Sequence, residues 1–158
     1  MSKRLREHIL LMTVVIMTVM MVACEDVTYY HFNHTPLYGW EKNDTLVYDI
    51  PPLKEPGKYR EYISMRISES YPFKSVFLII EQYTYPGKRV TRDTLSYNLV
   101  NAKGERTGKG ISYYQYNYLL REKDFRRGDS LHITIRHDMK REILPGINDI
   151  GFKLSPKH

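Results

Sequence analysis

Cys24 is the only thiol in a chain of 158 residues, and its neighbours specify what that thiol would do. Lys3, Arg4 and Arg6 make a positive start, Ile9 to Val22 form an almost wholly apolar segment, and Ala23 puts a small residue before the cysteine. This is the arrangement of a secretory signal with its cleavage point. The stretch MMVAC, ending at Cys24, reads as a bacterial lipobox. In such a segment the thiol takes a diacylglyceryl group, the peptide bond before the cysteine is cut, and the new amino group is acylated. Residues 1–23 would then be a removed signal peptide and Cys24 the lipidated first residue. Two or more acyl chains hold a protein stably at a membrane, where one holds it only marginally. Two alternatives use the same letters. One is a plain transmembrane anchor, for which the apolar run falls short of the roughly 20 residues that cross a bilayer. The other is an ordinary signal peptide that leaves a free mature cysteine.

The remaining chemistry-bearing patterns are weaker. Gly104 to Gly110, GERTGKG, has the glycines of a phosphate loop one residue too close together, with Gly110 where a Ser or Thr is needed. A hairpin turn explains it better. His31 and His34 stand near each other without a further Cys, His or Asp pair at ligand spacing, so no metal site is expected. No nucleophile elbow, Ser-His-Asp set or paired carboxylates can be nominated, so no catalytic residue and no cofactor is expected and an enzyme is disfavoured. Arg127-Gly128-Asp129 spells an adhesion tripeptide, for which a turn leading into a strand is the simpler source. Asp44-Thr45-Leu46, Asp93-Thr94-Leu95 and Asp129-Ser130-Leu131 look like O-glycosylation acceptors at Thr45, Thr94 and Ser130. Equally, an Asp closing a turn before a strand gives the same letters. Tyr114, Tyr116 and Tyr118 share one face of an expected strand, and Trp40 lies in an aromatic-rich N-terminal part. Such rows stack on sugars or partner side chains when exposed, and pack across strands when buried.

Any of these groups has to be held by the elements around it, and the sequence describes those elements as strands. Without residues 1–23 the formal charge falls from +6 to +4, since three cations leave with one acid, while all fourteen Tyr remain. The 135 residues that stay suffice for one core and one domain. Their charges are interleaved, as in Lys88 to Arg92 and Arg121 to Arg127, which predicts a solvated surface and, in an exported protein, no nucleic-acid partner. Alternation with period two marks Tyr62 to Ile67 and Ser130 to Arg136 as half-buried strands. Val76 to Ile80 is a continuous apolar run, the pattern of a central strand covered on both faces. Leu46 to Ile50, Thr94 to Val100, Ile111 to Leu120 and Ile147 to Leu154 complete about seven strands. Pro86-Gly87, Lys103-Gly104 and Gly128-Asp129 fall where hairpins would turn, and a helical turn is expected only at Asp138 to Leu144. The expected fold is all-β, a single antiparallel β-sandwich over residues 37–158, with residues 24–36 as a lipidated tether or early edge strand.

Several segments together resemble the gliding motility lipoprotein GldH family. They are the Cys24 lipobox, Trp40 ahead of a strand, Tyr71-Pro72-Phe73, Asp93-Thr94-Leu95, Gly108-Lys109-Gly110 and, most specifically, RHDMKREILPGINDIGFKL from Arg136 to Leu154. The resemblance implies a membrane-anchored accessory of the gliding apparatus or its associated protein-secretion machinery, with other envelope proteins as partners. It carries no catalytic residues with it. A glycan- or peptide-binding module using its Tyr and Trp faces is the second expectation from the sequence.

Overall fold

The computed structural model describes residues 26–158 together with His8, Met12 and Thr13; the signal peptide and Cys24 expectations lie outside the described residues. Ten strands are described: β1 (Tyr29–His34), β2 (Trp40–Glu41), β3 (Leu46–Ile50), β4 (Gly57–Ser68), β5 (Ser75–Tyr85), β6 (Arg89–Asn98), β7 (Tyr113–Phe125), β8 (Ser130–His137), β9 (Ile143–Leu144) and β10 (Ile147–Pro156). Two four-stranded sheets, ordered β1-β10-β4-β7 and β3-β8-β5-β6, are antiparallel throughout, and β2 and β9 form a small ribbon. The expected antiparallel β-sandwich is therefore the fold observed. All seven expected strands are present, several of them longer than the alternation suggested.

The core lies between the sheets because alternate residues of each strand face inward. Ile63, Met65 and Ile67 of β4 meet Val76, Leu78 and Ile80 of β5, Ile133 and Ile135 of β8, and Ile150, Phe152 and Leu154 of β10. Four expectations are corrected. Asp138 to Leu144 forms no helical turn: bends at 140–142 lead into β9, whose Leu144 pairs with Trp40. β5 is central as expected, but its outer face is covered only in part, with Ile79 buried and Phe77 exposed. Gly128-Asp129 does not close a hairpin; it carries the chain from β7 in one sheet to β8 in the other. Lys103-Gly104 turns within the long crossing from β6 to β7, where Val100 bridges Arg106, rather than between two long strands. Residues 29–34 settle as an edge strand, β1, against the central β10.

This topology gives the sandwich two unlike ends. Asp26, the 51–57 loop, the β5–β6 turn, the β7–β8 turn and the C-terminal residues gather at one end. The longer loops 35–45, 69–74, 99–112 and 138–146 gather at the other.

Candidate functional site

The end at which Asp26 enters is stitched by main-chain bonds. Pro51 and Pro52 stop β3, and the following Leu53 is buried, its N–H donating to the Asp129 carbonyl at 2.9 Å while the Gly128 N–H donates to the Leu53 carbonyl at 2.8 Å. The Tyr59 hydroxyl donates to the Glu55 carbonyl at 2.8 Å, and its ring meets Phe125 edge-on at 5.9 Å. The Thr28 N–H donates to the Leu154 carbonyl at 2.9 Å, and the Lys157 N–H to the Lys58 carbonyl at 2.8 Å. Between these segments opens a cleft of about 690 Å³ with an apolar floor of Ile50, Pro51, Pro52, Tyr59 and Pro156, and Asp26 on its rim.

At the opposite, apical end the loops are held just as firmly, yet they present apolar side chains to solvent. The Arg106 guanidinium donates to the Phe73 carbonyl at 3.1 Å and to the Tyr71 carbonyl at 2.5 Å, pinning loop 99–112 to loop 69–74. Gly146, at φ 81°, runs so close to Tyr71 that an added Cβ would lie 2.5 Å from the Tyr71 nitrogen. The Thr35 hydroxyl donates to the Ile147 carbonyl, and the Thr35 N–H to the Asn148 carbonyl at 3.0 Å, fixing the start of loop 35–45. On this frame Leu37 is 100% exposed and Ile111 89%, with Tyr38 and Tyr113 more than half open and Ile143 partly so. Leu37 and Tyr113 line a common cleft with His34, Arg66 and Asp149.

The residues that the sequence nominated fall in three kinds of place. Trp40 is fully buried: its Nε1–H donates to the Asp44 carbonyl at 3.0 Å and its ring meets His137 edge-on at 5.2 Å, so it offers no surface to a ligand. His137 donates through Nε2 to the Trp40 carbonyl at 3.2 Å and accepts at Nδ1 from the Met139 N–H, and burial pushes its imidazole below the ordinary value. Tyr114, Tyr116 and Tyr118 point inward along β7. Tyr116 is buried and donates to the Leu99 carbonyl at 2.8 Å, Tyr118 donates to the Asn98 carbonyl, and the Tyr118 ring lies tilted against Tyr97 at 4.9 Å. This row is a seam between the sheets, the cross-strand explanation of its spacing. Burial raises the Tyr118 hydroxyl to about 12.

Thr45 is exposed before β3, Thr94 is exposed in the middle of the edge strand β6, and Ser130 is half-buried at the start of β8. The turn explanation suits Thr45 and Ser130 but not Thr94, since Asp93 sits opposite Ile80 inside a strand. Asp129 accepts from the Arg126 N–H at 2.9 Å and from Arg89 at 3.0 Å while buried, so the Arg-Gly-Asp letters are a structural turn. His34 pairs with Asp149.

One constellation escaped the sequence reading. Glu61 of β4 is fully buried between the sheets, accepting from the Gln82 amide at 2.9 Å. Arg121 of β7 places Nε 3.0 Å from the second Glu61 oxygen, an ion pair not aligned as a hydrogen bond, and reaches Asp93 of β6 at 2.5 Å. Burial raises the Glu61 carboxyl above the ordinary value, and the Arg121 charge opposes that rise. The cluster ties strands of both sheets at their open side. A signal for it existed, since extending the alternation of Ile63, Met65 and Ile67 backwards puts Glu61 on the core face.

Fold and ends together define a class: an antiparallel β-sandwich with a chain entry at one end and exposed apolar loops at the other. The family model described as GldH lipoprotein matches residues 27–154, and the chain belongs to that family. As a member it is a gliding motility lipoprotein of the bacterial cell envelope. It is 28% identical over 126 residues to the gliding motility lipoprotein GldH of Flavobacterium johnsoniae, covering 75% of this chain and 79% of that one. It is 22% identical over 148 residues to the gliding motility lipoprotein GldH homolog of Christiangramia forsetii, covering 88% and 91%. Among solved structures, a family GH115 4-O-methyl-alpha-glucuronidase shares 10% identity at a TM-score of 0.49, over 86% of this chain and 18% of that enzyme. Dimeric latent PorU from Porphyromonas gingivalis shares 8% at 0.39, over 85% and 14%.

Proposed function

We propose that this protein is a non-enzymatic accessory, tethered through lipid on Cys24, that holds other envelope proteins of the gliding apparatus or its associated secretion machinery with its apical loops. The observation carrying this reading is the group of open apolar side chains, Leu37 and Ile111 foremost, on well-fastened loops at the end remote from Asp26. Clustered exposed apolar groups mark association surfaces more than solitary ones do. Lipid at the other end confines the domain to a plane and raises its effective concentration near membrane-bound partners. The test is affinity purification of tagged full-length protein from gently solubilised envelopes, with mass spectrometry of its N-terminal peptide and its companions. Leu37→Asp with Ile111→Asp is expected to lose the companions while keeping stability within about 0.5 kcal/mol, as for exposed sites. A wild-type protein that runs alone sinks the reading.

A second reading, a glycan- or peptide-binding module, is favoured by a cleft of about 780 Å³ lined by Thr107, Lys109, Gln115, Asn117 and Tyr118. Calorimetric titration with a broad panel of glycans and peptides checks it; uniformly flat traces remove it.

A further inference from the structure

We propose that the free edge of β7 takes an extended segment of another protein as an added antiparallel strand of its sheet, beginning at Asn117. This rests on reading the cleft of Thr107, Lys109, Gln115, Asn117 and Tyr118 as a peptide site, and it specifies the main chain of the peptide as what is recognised. β7 is the last strand of the sheet β1-β10-β4-β7, so one side of its main chain has no neighbouring strand. The protein itself lays a single residue there. The Lys109 N–H donates to the Gln115 carbonyl at 2.9 Å and the Gln115 N–H to the Lys109 carbonyl at 2.8 Å, in antiparallel register. Gly110, at φ 132°, permits this approach, since an added Cβ would lie 1.9 Å from the Tyr113 carbonyl oxygen. On the other side of Lys109 the loop turns away, its Thr107 N–H donating to the Leu99 carbonyl at 3.1 Å.

Strand geometry then fixes what is left open. Successive residues of an antiparallel strand turn their main-chain groups to opposite sides. Gln115 faces the edge, so Asn117 and Leu119 do too, while Tyr116 and Tyr118 bond to β4. Among the described residues no main-chain group outside the sheet pairs with Asn117 or Leu119. The cleft of about 780 Å³ opens between Thr107 and Asn117, where the next rung after Lys109 would lie. Sheet edges resist strand addition where they carry charge. Gln115 to Leu120 carries none; charge begins beyond the bulge with Arg121-Glu122-Lys123-Asp124, and it interrupts β6 at Arg89, Arg92 and Asp93. β3 is capped instead, by the Asn33 amide donating to the Val47 carbonyl at 2.8 Å. Leu119, 51% exposed on the outer face, offers an apolar contact to one alternate side chain of the incoming segment. The β7 of a second copy fits poorly. Antiparallel pairing of two such edges would set the uncharged half of each against Arg121 to Asp124 of the other and put the bulge between Leu119 and Arg121 inside the ladder.

The test selects peptides of about eight residues from a displayed library on the full-length protein in detergent micelles, and reads amide exchange by nuclear magnetic resonance. Saturation with a selected peptide is expected to slow the Asn117 and Leu119 amides about ten-fold or more and to leave Tyr116 and Tyr118 unchanged, an alternation that side-chain binding does not produce. N-methylation of every second peptide residue should abolish binding in one phase of the alternation and not in the other. Asn117→Pro removes an N–H that the sheet does not use and should weaken binding about ten-fold or more while the fold is kept, since such an edge tolerates proline. Leu119→Lys, at an exposed position, should weaken it independently. Failure to select any peptide, equal binding of both N-methylated forms, or slowing confined to amides outside 117–119 overturns the strand pairing. A glycan that titrates into the cleft in that case leaves the binding-module reading standing.

Discussion

Glu61 and His137 are two buried titratable groups whose responses to pH run in opposite directions. Glu61 has its carboxyl raised by burial against the partial relief of Arg121. An acid raised in the folded state contributes stability that is present below its unfolded pKa and lost as pH rises through the folded value. Glu61→Gln keeps the shape and abolishes the titration. The wild type should lose stability relative to this variant as pH climbs above the ordinary carboxylate range, read from urea midpoints. His137 is lowered by burial, so its contribution is present above the unfolded imidazole value and fades as pH falls through the depressed one. Trp40, the only tryptophan, lies 5.2 Å from that ring and reports on it. Acidification below about 6.5 should change Trp40 emission, and His137→Gln should flatten the change.

At the scale of elements, Gly146 sets how loop 138–146 meets loop 69–74. Its φ of 81° and the 2.5 Å approach of a would-be Cβ to Tyr71 leave no room for a side chain. Gly146→Ala should cost about 1–3 kcal/mol or more, measured by urea unfolding, with the loss showing first in Tyr71 and Leu144 amide exchange. The strands themselves were legible wherever alternation ran without interruption, as in β3, β4 and β8. β7 was cut short in the reading because the pairing register shifts between Glu61 and Tyr62, so the inward face passes from Tyr114, Tyr116 and Tyr118 to Arg121, Lys123 and Phe125. A bulge of this kind reverses the parity that alternation relies on. β2 and β9 are two residues each, too short to show any period. Trp40 and Leu37 illustrate the remaining limit. Both are large apolar residues in the same loop region, yet one is fully buried and the other fully open, and only tertiary packing separates them.

For the whole molecule, the separation of its two ends governs how it would behave under tension. A pull between Cys24 and a partner gripping the apical loops enters through β1, which is paired residue for residue with β10 from Tyr29 opposite Leu154 to His34 opposite Asp149. The force then runs along the strands, while antiparallel hydrogen bonds lie across them. Every bond of that ladder is loaded together, in shear, and the pair must slide before it parts. A pull between the two chain termini, which meet at the same end where His158 reaches Asp26 at 3.2 Å, would instead open the ladder one bond at a time. Force spectroscopy with one handle at the N-terminus should record a higher rupture force when the second handle is on Lys103 than when it is on His158. The way β1 joins the sheet thus makes the domain a stiff link in the direction from anchor to apical loops, and a zip in the other.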